Sequence, residues 1–135
     1  MKSKNMMRMI TMVAVCSSMV FSGFAQKSVK WVAPGETKAL KNPAPGAAAS
    51  IETGKALYTR MCKSCHGIGG KGDGPKASTL EVSCNDFTSK DFMAQTDGEI
   101  FYKINNGKDK MPGYSKMIPT ETDRWALVNY IRTLK

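Results

Sequence analysis

The segment Cys62-Lys63-Ser64-Cys65-His66 concentrates the reactive side chains of this sequence: two thiols three residues apart, then the only histidine. Cys-x-x-Cys-His is the attachment pattern of c-type haem. Thiols one helical turn apart reach the two vinyl groups on one edge of a porphyrin as thioethers, and the adjacent imidazole falls under the iron as proximal ligand. The expected cofactor is one covalent haem c with its iron. A single histidine also excludes sites built on two or more imidazoles, which covers facial-triad iron, bis-histidine haem and most catalytic zinc arrangements.

With no second histidine, the opposite axial position falls to a methionine, a lysine, a weak oxygen donor or nothing. Six of the ten methionines lie within residues 1–19, Met61 is too close to the attachment segment, and Met93 precedes the second helix expected below. Met111 and Met117 remain. Met111 follows the turn-rich Gly107-Lys108-Asp109-Lys110 and is held by Pro112, so it is the preferred thioether, with Met117 as core filler. A soft sulfur ligand stabilises reduced iron and raises the potential.

Three other patterns weigh less. Gly67, Gly69 and Gly72 fit G-x-G-x-x-G, but no strand precedes them and no helix opens there. A thioredoxin-like dithiol lacks a βαβ pattern. A zinc site from Cys62, Cys65, His66 and Cys84 has enough ligands, yet it leaves the Met-Pro segment and the long loop unexplained. Cys84 is the thiol left over once Cys62 and Cys65 are consumed, and it is expected to be a small buried apolar residue.

Three helices are needed to position these groups, and the fold class is all-α. The first is expected over Ile51–Met61, with Ile51, Gly54, Leu57, Tyr58 and Met61 along one face. The second follows Thr96, which stands at capping-box spacing from Glu99, and stops at Gly107. The third follows Pro119, with Thr120 and Asp123 again three apart and Leu127, Tyr130, Ile131 and Leu134 on one face. No stretch alternates at period two for long enough to be a strand. More than 30 residues of loop between Cys62 and Thr96 call for something large to wrap around, which a cofactor provides.

The chain has 135 residues, 20 Lys and Arg against 11 Asp and Glu, and a formal charge of +9. Residues 1–25 carry Lys2, Lys4 and Arg8, an apolar run from Met9 to Phe24 and the small-residue end Gly23-Phe24-Ala25, the pattern of a signal peptide cleaved before Gln26. An uncleaved membrane tether and lipid attachment at Cys16 are the rivals. Loss of that segment removes three positive charges and no negative one, leaving +6 on the mature chain. Residues 26–50, with Pro34, Pro43, Pro45 and small residues, are expected to be an arm or linker. Trp31 and Val32 are unlike pure linker, and a strap packed through Trp31 is the alternative. The folded unit is expected over 51–135, a size marginal for a core unaided.

Residues 51–135 resemble a class I mono-haem cytochrome c of the small bacterial type. The resemblance rests on Cys62-x-x-Cys65-His66, on the glycine-rich Gly67–Pro75 segment, on Lys110-Met111-Pro112-Gly113-Tyr114 lying 45 residues beyond His66, and on Trp125–Ile131. It implies a cytochrome c fold, three main helices with long loops wrapped around one haem. It implies that the Pro75 carbonyl accepts the His66 Nδ1–H, that Met111 is the distal ligand, and that Lys103 stands near a haem propionate. It also implies that Leu127 and Tyr130 cross the first helix at Gly54 and Tyr58.

The function that follows is that of an exported, periplasmic carrier passing single electrons between respiratory partners, not an enzyme. Lys63, Lys108, Lys110 and Lys116 lie beside the haem and Met motifs and suggest acidic redox partner proteins. Nucleic acid is a poor explanation of the charge, since there is no basic helix or aromatic platform. An open sixth site that binds small molecules or peroxide, or a fixed haem subunit of a larger respiratory complex, are the alternatives.

Overall fold

The computed structural model of the chain describes residues 30–135. The expected signal peptide of residues 1–25 lies outside the described residues. Helices α1 (Ala48–Met61), α2 (Lys63–His66), α3 (Lys90–Met93), α4 (Asp97–Asn106) and α5 (Glu121–Ile131) follow in chain order, with 3-10 turns at Gly35–Ala39 and Ala77–Thr79. Among the described residues there is no strand, only an isolated bridge between Lys108 and Met111. The molecule is all-α, with the long loops that the cytochrome c fold requires.

Helices α1 and α5 form the principal packed pair. Gly54 is where they touch: a Cβ there would overlap the Ala126 carbonyl oxygen and stand 2.9 Å from Tyr130 Cβ. Glycine is therefore required by close backbone approach. Around this crossing Tyr58 and Tyr130 meet with ring centroids 5.1 Å apart, and Leu127 and Val128 are wholly enclosed. Helix α4 closes the other side of α5, with Phe101 stacked on Trp125 at 3.8 Å and Ile100 and Ile104 buried.

Helix starts were legible to different degrees. The Thr96–Glu99 capping box of α4 forms in both directions: Thr96 Oγ1 accepts from the Glu99 N–H at 3.2 Å, and Glu99 Oε2 accepts from the Thr96 N–H at 2.7 Å. The similar spacing at Thr120 forms no side-chain cap. Thr120 is exposed, so water can serve the free N–H groups of that turn. Instead the Arg124 guanidinium donates to the carbonyls of Ile118 and Pro119, at 2.5 and 2.8 Å, and fixes the approach to α5. Helix α1 begins at Ala48, three residues before the expected Ile51, because the small tract Ala48-Ala49-Ser50 contains the best helix former and joins its first turn.

The segment expected to be a linker is docked from residue 31 onward. Ala33 and Thr37 are buried. Asn42 Nδ2 donates to Asp97 Oδ2 at 2.8 Å and to Asn129 Oδ1 at 2.7 Å, while Asn129 Nδ2 donates to the Ala44 carbonyl at 2.8 Å. Buried Asn129, in the middle of α5, thus has its amide satisfied by the arm, and the strap alternative describes this segment better than a free linker.

Candidate haem site

Helix α1 ends at Met61; Cys62, which caps α2, and Cys65 and His66 within α2 enter a cleft of about 820 Å³ counted to its open mouth. Backbone bonds from Cys65 and His66 N–H to the Cys62 carbonyl hold the turn at 3.2 and 2.9 Å. Tyr58 Oη donates to the Gly67 carbonyl at 2.6 Å, and Tyr114 Oη donates to the Met61 carbonyl at 3.1 Å, so both ends of the attachment turn are pinned by tyrosines.

Four stretches of chain line the cleft. One is Met61 with the attachment turn itself. Leu80 and Val82–Asn85 come from the long loop, with Ser83 and Cys84 between them. Lys108–Pro112 and Tyr114 form the third, and Trp31 of the arm is the fourth. The lining is chiefly apolar, which suits a flat, largely hydrocarbon cofactor. The Lys108–Met111 segment is a tight turn, closed by paired backbone bonds of 2.9 Å. Met111 faces the same cleft as His66, whereas Met117 is 48% exposed and is not part of the lining. Met117 is therefore not the core filler expected from sequence.

Burial pulls the His66 imidazole below its ordinary pKa, an effect the nearby Asn85 backbone partly offsets. A neutral ring, the form that ligates metal, is thereby favoured at neutral pH. His66 Nδ1 is buried and lacks a partner in hydrogen-bond geometry. The ring stacks on Phe87, centroids 4.4 Å apart, and Phe87 in turn contacts Phe92 at 4.6 Å. The Cys62 thiol is pushed up to about 12 by burial and by the neighbouring Cys65.

The bond expected from His66 Nδ1 to the Pro75 carbonyl is not formed, since Nδ1 has no partner. Pro75 is exposed on the glycine-rich loop, whose Gly74 and Lys76 N–H groups donate to the carbonyls of Cys65 and Ser64 at 3.2 and 2.8 Å. The backbone against the imidazole belongs to Asn85, because the loop returns and seats Phe87 N–H on the Gly70 carbonyl at 2.7 Å. A main-chain carbonyl has no side-chain signature, so the sequence does not mark Asn85.

Lys103 was expected near a haem propionate, and its own contacts are with protein groups. It is buried in α4, its Nζ bonded to Gln95 Oε1 and 5.4 Å above the Trp31 ring. It lines a second cavity behind Trp31 rather than the cleft. Burial lowers its pKa, partly countered by the Glu99 carboxylate. Cys84 is half-buried in the cleft lining, close enough to Cys65 for their charges to interact. Among the described residues, no three His, Cys, Asp or Glu side chains converge as a metal-binding cluster, so Cys62, Cys65, His66 and Cys84 share a cleft without forming a tetrahedral site. Lys108 and Lys110 stand at the cleft; Lys63 and Lys116 do not line it.

Residues 49–131 match the family model described as cytochrome c oxidase, cbb3-type, subunit III. The chain belongs to this family of c-type cytochromes. It is similar to a solved chain of the Kuenenia stuttgartiensis reducing HAO-like protein complex Kustc0457/Kustc0458, with 27% identity and a TM-score of 0.61. That likeness covers 70% of this chain and 49% of the other, so the cytochrome spans about half the length of the solved chain. No curated protein matches it. Membership of the cytochrome family implies covalent haem c and haem-based electron transfer, and the cleft fits the group: paired thiols, a buried imidazole lacking an Nδ1 partner, and an apolar lining.

Proposed function

We propose that the chain is an exported mono-haem cytochrome c that passes single electrons between protein partners. Cys62 and Cys65 would hold haem c as thioethers, with His66 and Met111 as its axial ligands. The observation that carries this is that all four side chains, distant in sequence as far as Met111 is from His66, line one apolar cleft. Bound there, haem supplies an iron that cycles between ferrous and ferric states.

The protein's own residues do the rest. Tyr58 and Tyr114 fix the attachment turn, the Lys108–Met111 turn presents the thioether, and Phe87 restrains the imidazole plane. If His66 and Met111 both hold the iron, no site would be left for a reactant, which favours a carrier over an enzyme. Lys108 and Lys110 would meet an acidic surface on the partner. Lys103, placed behind Trp31, supports the wall of the cleft rather than contacting the cofactor. Among the described residues no helix is long and apolar enough to cross a membrane, and attachment of c-type haem on the outer side of the bacterial cytoplasmic membrane is consistent with export.

A second form of the same function is a fixed haem subunit of a larger assembly. The family model is named for an oxidase subunit and the solved neighbour for a protein complex. Visible spectra of the purified protein in both oxidation states test the haem and its ligands together. Colour that survives denaturation and acid–organic extraction, with a low-spin spectrum, is expected. A colourless protein from cells competent in cytochrome maturation overturns the proposal. Stable co-purification with membrane subunits would identify the fixed form.

A further inference from the structure

We infer that the arm preceding α1 is part of the cofactor site, and that Trp31 is a positioning residue that shuts water out of the cleft and thereby sets the haem potential. The inference rests on the proposed haem function and names a part of the chain that the Cys-x-x-Cys-His and Met-Pro motifs do not reach.

Trp31 lies upstream of the family-matched residues 49–131, yet it lines the same cleft as Cys65, His66 and Met111. It also lines the second cavity, so that with Ser83, Cys84 and Asn85 it belongs to the wall the two share. Its ring is backed by the Lys103 ammonium 5.4 Å away, and Lys103 is itself buried and bonded to Gln95. A cation held against one aromatic face fixes the ring's plane without filling the cleft.

The arm is seated firmly enough to hold a wall in place. Thr37 is buried, its N–H and hydroxyl both donating to the Pro34 carbonyl at 3.0 and 2.6 Å. The turn it forms rests on the first turn of α4 at Gly98, where a Cβ would overlap the Thr37 carbonyl oxygen and stand 2.9 Å from Leu40 Cβ. Only a residue without a side chain lets the arm down onto α4. Further along, Asn42 is bonded to both Asp97 and Asn129.

Ferric haem carries one more positive charge than ferrous haem, so water at the haem favours the oxidised form and lowers the potential. A wall that excludes water raises it. Gly98→Ala provides a variant remote from the cleft: it disturbs the seat of the arm while giving α4 a better helix former.

The test compares full-length holoprotein as wild type, Trp31→Ala, Trp31→Phe and Gly98→Ala, reading haem content, midpoint potential and protease sensitivity between residues 30 and 47. Trp31→Ala and Gly98→Ala are expected to retain haem and shift the potential downward together. Gly98→Ala should also open the arm to protease, and Trp31→Phe should stay near the wild-type potential. Unchanged potentials in Trp31→Ala and in a protease-sensitive Gly98→Ala, with haem content intact, overturn the inference while leaving the electron-carrier function standing. A wild-type chain without haem overturns both.

Discussion

Gly54 and Ala126 are in backbone contact, so a single methyl group on Gly54 would occupy the space of the Ala126 carbonyl oxygen. No flexible side chain is available to yield. Overpacking of this kind costs about 1–3 kcal/mol and occasionally more, against roughly 1 kcal/mol gained because alanine is the better helix former. Because the clash is with backbone, the upper end applies, about 3 kcal/mol less about 1, so Gly54→Ala is expected to lose about 2 kcal/mol net, read as a lower denaturant midpoint. Because α1 leads directly into Cys62, haem content should fall as well. A variant as stable as wild type would show that α1 and α5 can separate without cost.

Met111 and Met117 differ in position rather than in chemistry. Met111→Ala should abolish the sulfur-to-iron charge-transfer band of the oxidised protein and lower its potential, and Met117→Ala should change neither. If the band survives in the Met111 variant and vanishes in the Met117 variant, the ligand assignment is wrong.

The Glu99 carboxyl is held below its ordinary value of 4.5, first by the Thr96 backbone N–H. A depressed folded-state pKa contributes stability that is present above the unfolded value and lost as pH falls through the folded one. Glu99→Gln should therefore be less stable than wild type at pH 7, and the gap should close as pH falls below about 4.5. Thr96→Ala removes the other half of the box and is expected to cost about 1 kcal/mol. Denaturant midpoints measured across that pH range check both, and a gap independent of pH would refute the linkage.

Lys108 and Lys110 are exposed and stand at the cleft. Steering by such charges acts on encounter rate and fades with salt. Reversing both to glutamate should slow electron exchange with an acidic partner roughly tenfold at low ionic strength, with little effect at high salt, as stopped-flow absorbance would record. Equal rates at low salt would place the docking surface elsewhere.

How much of this was written in the sequence depends on the range of the interaction. Cys62, Cys65 and His66 are local in sequence, and their spacing alone specifies the turn and the chemistry. The capping box at Thr96 is local too, and it formed as read. The spacing at Thr120 was equally local and formed no cap, since Thr120 is exposed and water can serve that turn. The roles of Pro75 and Lys103 were inferred by resemblance rather than from any local spacing. Which backbone meets His66 is decided by where the loop returns, and that depends on Phe87 seating on Gly70.

The all-α class, the three main helices and the attachment turn were readable from the chain alone, since each rests on periodicity, caps or the spacing of donor atoms within a few residues. Packing of distant segments is what brings the Asn85 backbone to the imidazole, Lys103 over an indole and Trp31 into the cleft lining. Those outcomes are fixed by contacts between segments far apart in the chain, where Asn42, Gly98 and Asn129 dock the arm. Such long-range contacts depend on shape complementarity among surfaces that exist only once the helices have packed.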